Sequence, residues 1–506
     1  MEEIFSRNVV STVTIEKLDE VYVRVFSDPS IEQELAEFFT YEYPGARFTP
    51  QYRARLWDGK VRLYDQVRKT LYVGLVEYVE QFCERNDYLL TWKTDFNNLN
   101  GITHEDVEKF AKWLEPHGRG KPIEIRDYQV EAVKTALDKE RTLLLSPTAS
   151  GKSFIIYTTL RWHLEHKRKS IIIVPTTSLV EQLYTDFEDY SSVNGWNVDK
   201  NCQKLYSGFT KDITKNVLIT TWQSVYLQPK SWFAQFDVIF GDEAHQFKAK
   251  SLTTVMEKMD KIRYRIGTTG TLDNKKVHRL VLEGIFGPMH RVTTTKQLME
   301  TQKLAQLNIT CIVLKYEEEL RKARKNNTYQ DEMEFIVGHY PRNKFICNLA
   351  VKSSGNTLVL FQYVEKHGKV LHDMIKGKVH KVNEDRKIFF VYGGTETTDR
   401  EAIRHITEGE TDAIIIASFG TFSTGINIPS IENIIFASPS KSKIRNLQSI
   451  GRGLRLKDGK THCNLYDIAD DLHWKSWKNH TLNHAAERYK TYAEEQFDLK
   501  LVEVNI

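Results

Sequence analysis

Two separate series of short, wholly apolar runs constrain this 506-residue chain more than any other feature. The first series is TLLLS (142–146), SIIIVP (170–175), NVLITT (216–221), FDVIFGDE (236–243) and YRIGTTGT (264–271), with helical patterns between them. Strands that lack polar alternation have both faces covered, as in a parallel sheet packed between helices. The pattern fades through a charged stretch near 315–345, then resumes in TLVLFQ (357–362), KIFFVYG (387–393), DAIIIAS (412–418) and NIIFASP (433–439). The fold class read from this is α/β, with two tandem parallel-sheet lobes over 121–295 and 346–480. A connector (296–345) joins the lobes, and a helical tail (481–506) follows them.

Ahead of the lobes, residues 1–100 read as a small α+β domain, with 101–120 as a linker carrying one amphipathic helix. The domain contains strand-like VYVRVF (21–26), helical IEQELAEFF (31–39), helical GLVEYVEQFCERN (74–86) and strand-like YLLTWKT (88–94). Between them lies RFTPQYRARLWDGKVRLYD (47–65), where bases and aromatics interleave and Asp58-Gly59 suits a hairpin turn. In a strand here, Arg53, Arg55 and Trp57 share one face while Tyr52 and Leu56 take the other. Such a face offers cations to phosphates and an aromatic platform to an unpaired base.

The balance of 71 Lys and Arg against 67 Asp and Glu neither requires nor excludes a polyanionic partner, so any such site must gather its bases locally. Five cysteines, scattered without a Cys-x-x-Cys pair, fit reduced thiols in a cytoplasmic compartment. No apolar run approaches the roughly 20 residues that span a bilayer, and the N-terminus lacks the basic-then-apolar order of a signal peptide.

The chemistry concentrates at strand ends. SPTASGKS (146–153) lies between a strand and a helical stretch, where inward N–H groups at a helix N-terminus hold phosphate oxygens. Gly151 allows close backbone approach, Lys152 reaches the β- and γ-phosphates of ATP, and Ser153 offers its hydroxyl to Mg²⁺. Ser146 stands where the common pattern opens with Gly, and Thr148 lies within the loop. Downstream, VIFGDEAH (238–245) ends an apolar strand in two carboxylates, Asp242 for the metal and Glu243 for the attacking water. Upstream, IRDYQVEAV (125–133) places Gln129 to read an adenine edge and Arg126 to stack on the base.

With TTGTL (268–272), SFGTFSTGINIPS (418–430) and QSIGRGLR (448–455) added, the chain resembles superfamily 2 helicases over roughly 120–475. Its whole layout, including RYRARLWDGKVRL, IIIVPTTSLVEQ and TWQSV, is similar to the recombination and repair helicases of T-even-type phages. The resemblance implies RecA-like lobes and a DNA-dependent ATPase using ATP and Mg²⁺ to remodel Holliday junctions, D-loops, stalled forks and R-loops. It implies that Thr176, Thr221 and Thr424 touch the sugar-phosphate backbone, and that Thr269 and Thr271 hydrogen-bond toward the DEAH carboxylates. His245 and Gln448 join them in coupling hydrolysis to movement. Gly425 is expected near the nucleotide, with Asn427 at a ribose position where many relatives carry Asp. Arg452 and Arg455, within one turn of one helix, are implied as arginine fingers.

The implied partner is DNA, branched, forked or single-stranded, with RNA in RNA–DNA hybrids and phage recombination and single-strand-binding proteins beyond it. An RNA helicase shares the DEAH tetrad, and a restriction-type duplex translocase shares the motor. A nucleotide-gated DNA clamp would not need complete motifs in both lobes. No nuclease carboxylate-lysine cluster stands out.

Overall fold

The computed structural model describes the chain except residues 1–10, 95–99, 119, 207–211, 273–274, 383–384, 396–401, 404–405, 408, 426–427, 429 and 457–459, and except the side chains of 382 and 423–425. Contacts divide it into two compact units, Met1–Ser146 with Gly151–Val292, and Pro147–Ser150 with Thr293–Ile506.

The first unit holds a seven-stranded sheet. In spatial order its strands are Cys202–Leu205, Val217–Thr221, Ser170–Val174, Val238–Asp242, Tyr264–Thr269, Arg141–Leu145 and Met289–Arg291. Every neighbouring pair is parallel. Successive residues of one strand feed opposite cores: Ile172, Ile219, Phe240 and Ile266 pack on one face, and Ile171, Ile173, Leu218 and Ile239 on the other. This two-sided burial is why the runs lack polar alternation.

The second unit repeats the plan, with strands Ile388–Val391, Ile414–Ser418, Thr357–Phe361, Asn433–Phe436, His462–Asp471, Gln306–Lys315 and Leu499–Asn505, again all parallel. Three strands fall outside the expected pattern, Gln306–Lys315, His462–Asp471 and Leu499–Asn505. Gln306–Lys315 arises in the stretch read as a connector, and the stretch read as a helical tail is a helix, His480–Glu494, followed by the edge strand Leu499–Asn505. His462–Asp471 carries acids into the core, where they are paired: Arg488 donates to Asp467 at 2.7 Å and Arg342 to Asp470 at 2.7 Å. Removing one member of such a buried pair strands a charge, at a cost on the order of 3–5 kcal/mol.

The small N-terminal sheet belongs to the first unit. Its order is Thr70–Tyr72, Tyr22–Phe26, Thr12–Lys17 and Leu89–Trp92, with the last pair parallel and the others antiparallel. The expected helices form as Pro29–Phe38 and Val76–Arg85. Its core takes in Leu280, a residue of the helix Lys276–Phe286 that follows the TTGT segment. Gly74 allows that closeness, because a Cβ there would overlap the Glu283 carbonyl oxygen. In the stretch read as a linker, the helix His104–Trp113 packs Val107 and the following Leu114 into the main core of the unit.

Candidate functional site

The loop 146–151 closes the strand Arg141–Leu145 and opens the 14-residue helix Lys152–Glu165. Ser146 is buried, and its N–H donates to the Thr269 carbonyl at 2.8 Å, tying the loop to the TTGT strand. Gly151 caps the helix at φ 84°, a left-handed conformation that suits glycine, and the space where a Cβ would stand is filled by the Gln129 amide nitrogen. Ala149 is also left-handed, at φ 67°, so the loop stores backbone strain of the kind that gathers at functional sites. Lys152 Nζ lies 3.5 Å from the Ser146 carbonyl oxygen, and Thr148 is half-buried in the loop. The Gln129 amide oxygen accepts from the Arg126 N–H at 3.0 Å, and Arg126 donates to the Tyr128 hydroxyl at 2.6 Å. The two residues expected at the base are thus adjacent, and Gln129 touches the phosphate loop.

The acidic end is built on the neighbouring strands. Val238–Asp242 runs beside Tyr264–Thr269, with Asp242 opposite Thr268. The Thr268 hydroxyl donates to Asp242 Oδ1 at 2.8 Å, and the Glu243 N–H donates to the same oxygen at 2.9 Å. The expectation that Thr269 and Thr271 bind the carboxylates is therefore corrected, because strand alternation puts Thr268 on the side of Asp242. Thr269 meets His245 Nδ1 at 3.1 Å and donates to the Thr271 carbonyl at 3.0 Å, while the buried Thr271 hydroxyl has no hydrogen-bond partner among the described residues. His245 Nδ1 also lies 3.3 Å from Glu243 Oε2, so the histidine bridges the DEAH and TTGT segments. Glu243 holds φ 50°, strained for a non-glycine residue. Desolvation and the adjacent Glu243 push the Asp242 carboxyl pKa up, against the pull of Lys152 and the Thr268 hydrogen bond. That excess of negative charge is what a divalent cation relieves, so the donor set fits Mg²⁺.

Tyr190 was not foreseen. It ends the helix Thr177–Tyr190, and its hydroxyl lies 2.8 Å from Ser153 Oγ, the expected metal ligand. No pattern in the sequence marks it, since it is 37 residues away. Thr176 caps the same helix by accepting from the Leu179 N–H at 3.3 Å. Thr221 ends the adjacent strand opposite Val174, buried, with its hydroxyl 3.0 Å from Ser224 Oγ. The two threonines thus stand at the same edge of neighbouring strands.

In the second unit the helix Lys443–Gly453 carries Gln448 and Arg452, both half-buried, with the Arg452 guanidinium 6.0 Å from the Phe422 ring centroid. Arg455 lies beyond the helix end, after the C-cap Leu454, rather than one turn along it. Thr424 and Gly425 fall in the helix Phe419–Gly425; their side-chain positions, and Asn427 entirely, lie outside the described residues.

The basic N-terminal stretch is not a strand across Arg53–Trp57. Pro50 starts a short helix, Pro50–Arg53, capped by Thr49, and Arg55 turns the chain at φ 57°. Only Lys60–Arg62 is extended, paired antiparallel with Thr40–Glu42. The face expected from alternation is replaced by a concavity of about 520 Å³, whose wall nevertheless includes Arg47, Arg53, Arg55 and Trp57. Trp57 is held: its indole N–H donates to the Lys60 carbonyl at 2.8 Å and its ring meets Tyr43 at 5.6 Å. The aromatics open to solvent are Phe48, 71% exposed, and Tyr52, 41% exposed.

Comparison with known proteins follows the same three-part plan. Residues 12–93 match the family described as DNA helicase UvsW, N-terminal; 122–274 match the type III restriction enzyme res subunit; 341–457 match the helicase conserved C-terminal domain. The ATP-dependent DNA helicase uvsW of Enterobacteria phage T4 is 34% identical over 96% of this chain and 98% of its own. The crystal structure of T4 UvsW is similar across 98% of this chain and 99% of that one, at 32% identity and a TM-score of 0.52. A fragment of an HsdR restriction subunit from Vibrio vulnificus YJ016, at 17% identity and a TM-score of 0.56, shares the fold alone. With the relative aligned end to end and its N-terminal segment matched by a model of its own, this chain belongs to the UvsW family of superfamily 2 helicases.

Proposed function

We propose that this helicase uses ATP to remodel branched DNA, namely Holliday junctions, D-loops, stalled forks and R-loops, in recombination, repair and replication restart. The observation that supports this reading is the exposed arm 47–57, which sets Arg47, Arg53 and Arg55 beside the open rings of Phe48 and Tyr52 on the same unit as Lys152 and Asp242. Cations for phosphates beside rings for unpaired bases suit the point where a duplex opens. Lys152 positions the γ-phosphate, Glu243 polarises the attacking water, and Gln129 with Arg126 takes the base. Ser153 and Asp242 hold Mg²⁺, which when bound neutralises charge on the β- and γ-phosphate oxygens. Thr176, Thr221 and Thr424 serve the strand being tracked. ATPase assays with single-stranded DNA, forked DNA and RNA as activators test the reading. Forked DNA should activate most, and stronger activation by RNA would overturn it in favour of an RNA helicase.

The arm makes its own prediction. If Arg53 and Arg55 each contact one phosphate, the Arg53→Ala, Arg55→Ala double variant should lower the log–log salt slope of fork binding by about two. Titrations of fork affinity against salt measure this, and an unchanged slope would return the segment to scaffold.

Arg452 and Arg455 are proposed as arginine fingers. Arg452→Ala should cut DNA-stimulated turnover by about 10³-fold or more while ATP binding persists. Turnover and nucleotide affinity measured together decide it, and wild-type stimulation in the variant would make Arg452 a surface residue.

A further inference from the structure

The N-terminal module grips the motor at a particular point. Glu257, the last residue of the helix Lys250–Glu257, receives two phenols on one carboxylate oxygen: Tyr72 donates to Oε1 at 2.6 Å and Tyr22 at 3.0 Å. The two rings stack, with centroids 5.2 Å apart. Burial, and next the Glu257 carboxylate, raise the pKa of Tyr22 well above that of a free phenol; in Tyr72 burial and the hydrogen bond to Glu257 do the same. Both therefore stay protonated donors across the physiological range. Just beyond, the Glu20 N–H donates to the Asp260 carbonyl at 2.9 Å, and Arg141, first residue of the strand that leads to the phosphate loop, donates to the Glu20 carbonyl at 2.7 Å.

The same few residues are held from the motor side. Arg265, buried on the strand that ends in TTGT, donates to the Ile262 carbonyl at 3.1 Å and to the Met259 carbonyl. The helix Lys250–Glu257 is joined to the DEAH turn by a hydrogen-bonded ladder: Gln246 N–H to the Glu243 carbonyl at 3.0 Å, Ala249 N–H to the Gln246 carbonyl at 3.1 Å, and the Thr253 hydroxyl to the Phe247 carbonyl at 3.0 Å. A second line runs from the arm itself. Trp57 meets Tyr43, Tyr43 meets His278 edge-on at 5.9 Å, and His278 Nδ1 lies 3.4 Å from Lys248 Nζ in the DEAH turn. Glu243 sits at the head of that turn in a strained backbone well, where a small displacement reorients the carboxylate.

We propose that Glu257 is a positioning residue that relays engagement of the N-terminal module to Glu243, through the two phenols on one side and the helix Lys250–Glu257 with its DEAH turn on the other. This rests on the reading of the N-terminal module, whether through its arm or another face, as a fork-binding element. An apolar contact would dock the module equally well, whereas two hydrogen bonds onto one carboxylate oxygen are directional and tie helix and module to one geometry.

Glu257→Ala, and separately Tyr22→Phe with Tyr72→Phe, should keep unstimulated turnover, single-strand stimulation and fork affinity near wild type. Fork-stimulated turnover should fall about fivefold, the size of a modest coupling free energy between sites. Glu257→Gln keeps the shape and an acceptor oxygen and should retain stimulation, whereas a purely charge-based role predicts its loss; the phenylalanine pair excludes a role in packing alone. The phenylalanine pair keeps the stacked rings, so it remains informative if Glu257→Ala unfolds. Wild-type fork stimulation in the phenylalanine pair, or an equal loss with single-stranded and forked DNA, would overturn the relay. The arm reading fails separately: if Arg53→Ala with Arg55→Ala leaves fork affinity intact while the phenylalanine pair still loses fork stimulation, the relay stands and the arm does not.

Discussion

Lys152→Ala is expected to lose ATP turnover by at least about 10²–10³-fold, the scale of removing one preorganised charge-stabilising donor, while folding and DNA binding survive. The lysine is the first residue of its helix, and its Nζ rests against the Ser146 carbonyl in a loop shaped by Gly151 and tied through Ser146 to Thr269. None of those backbone features depends on the lysine side chain, which is half-buried. On the proposed role, what disappears is the cation that meets the developing charge. Turnover measured beside thermal unfolding and DNA affinity checks the point. A folded variant that still hydrolyses ATP well would remove Lys152 from this role.

Glu243→Gln should differ in kind: ATP binding persists or tightens, and turnover falls by about 10²–10⁴-fold, the contribution of a positioned general base. Asp242 keeps its hydrogen bonds from Thr268 and from the Glu243 backbone N–H, neither of which involves the Glu243 side chain. Burial raises the Asp242 pKa first and the Glu243 charge second; the substitution removes only the second, so Asp242 should ionise more readily in the variant. Equilibrium nucleotide binding and single-turnover hydrolysis separate the two effects. A variant unable to bind ATP would show that the strained Glu243 turn has a structural task instead.

The phosphate loop, the DEAH strand and the central strands of both lobes were legible because each is a local pattern. An apolar run covered on both faces, ending in loop chemistry, needs no knowledge of the partner strand. Edge strands such as Cys202–Leu205 and Leu499–Asn505 were not legible, since solvent on one side restores polar residues to them. His462–Asp471 hid for another reason: its Asp467 and Asp470 look like surface residues until Arg488 and Arg342, from distant helices, neutralise them. At the site, which threonine meets Asp242 depended on strand phase, and sequence could supply the TTGT segment but not its register. Tyr190 and Glu257 act through hydrogen bonds across 37 and up to 235 residues, a separation over which single-sequence patterns carry nothing. The arm failed as a strand because Pro50 and the Thr49 cap favour a helical turn over alternation.

The placement of Leu280 inside the N-terminal core bears on how the chain is made. A domain synthesised ahead of its neighbour ordinarily closes as soon as its own residues are out. Here the core of the N-terminal module includes Leu280, and its surface at Gly74 receives the backbone at Glu283. At about 5–20 residues per second, the module waits many seconds for the rest of its interior. During that interval its exposed apolar face is open to chaperones and to neighbouring nascent chains. A late segment of the first lobe therefore acts as the keystone of the domain that precedes it in the chain.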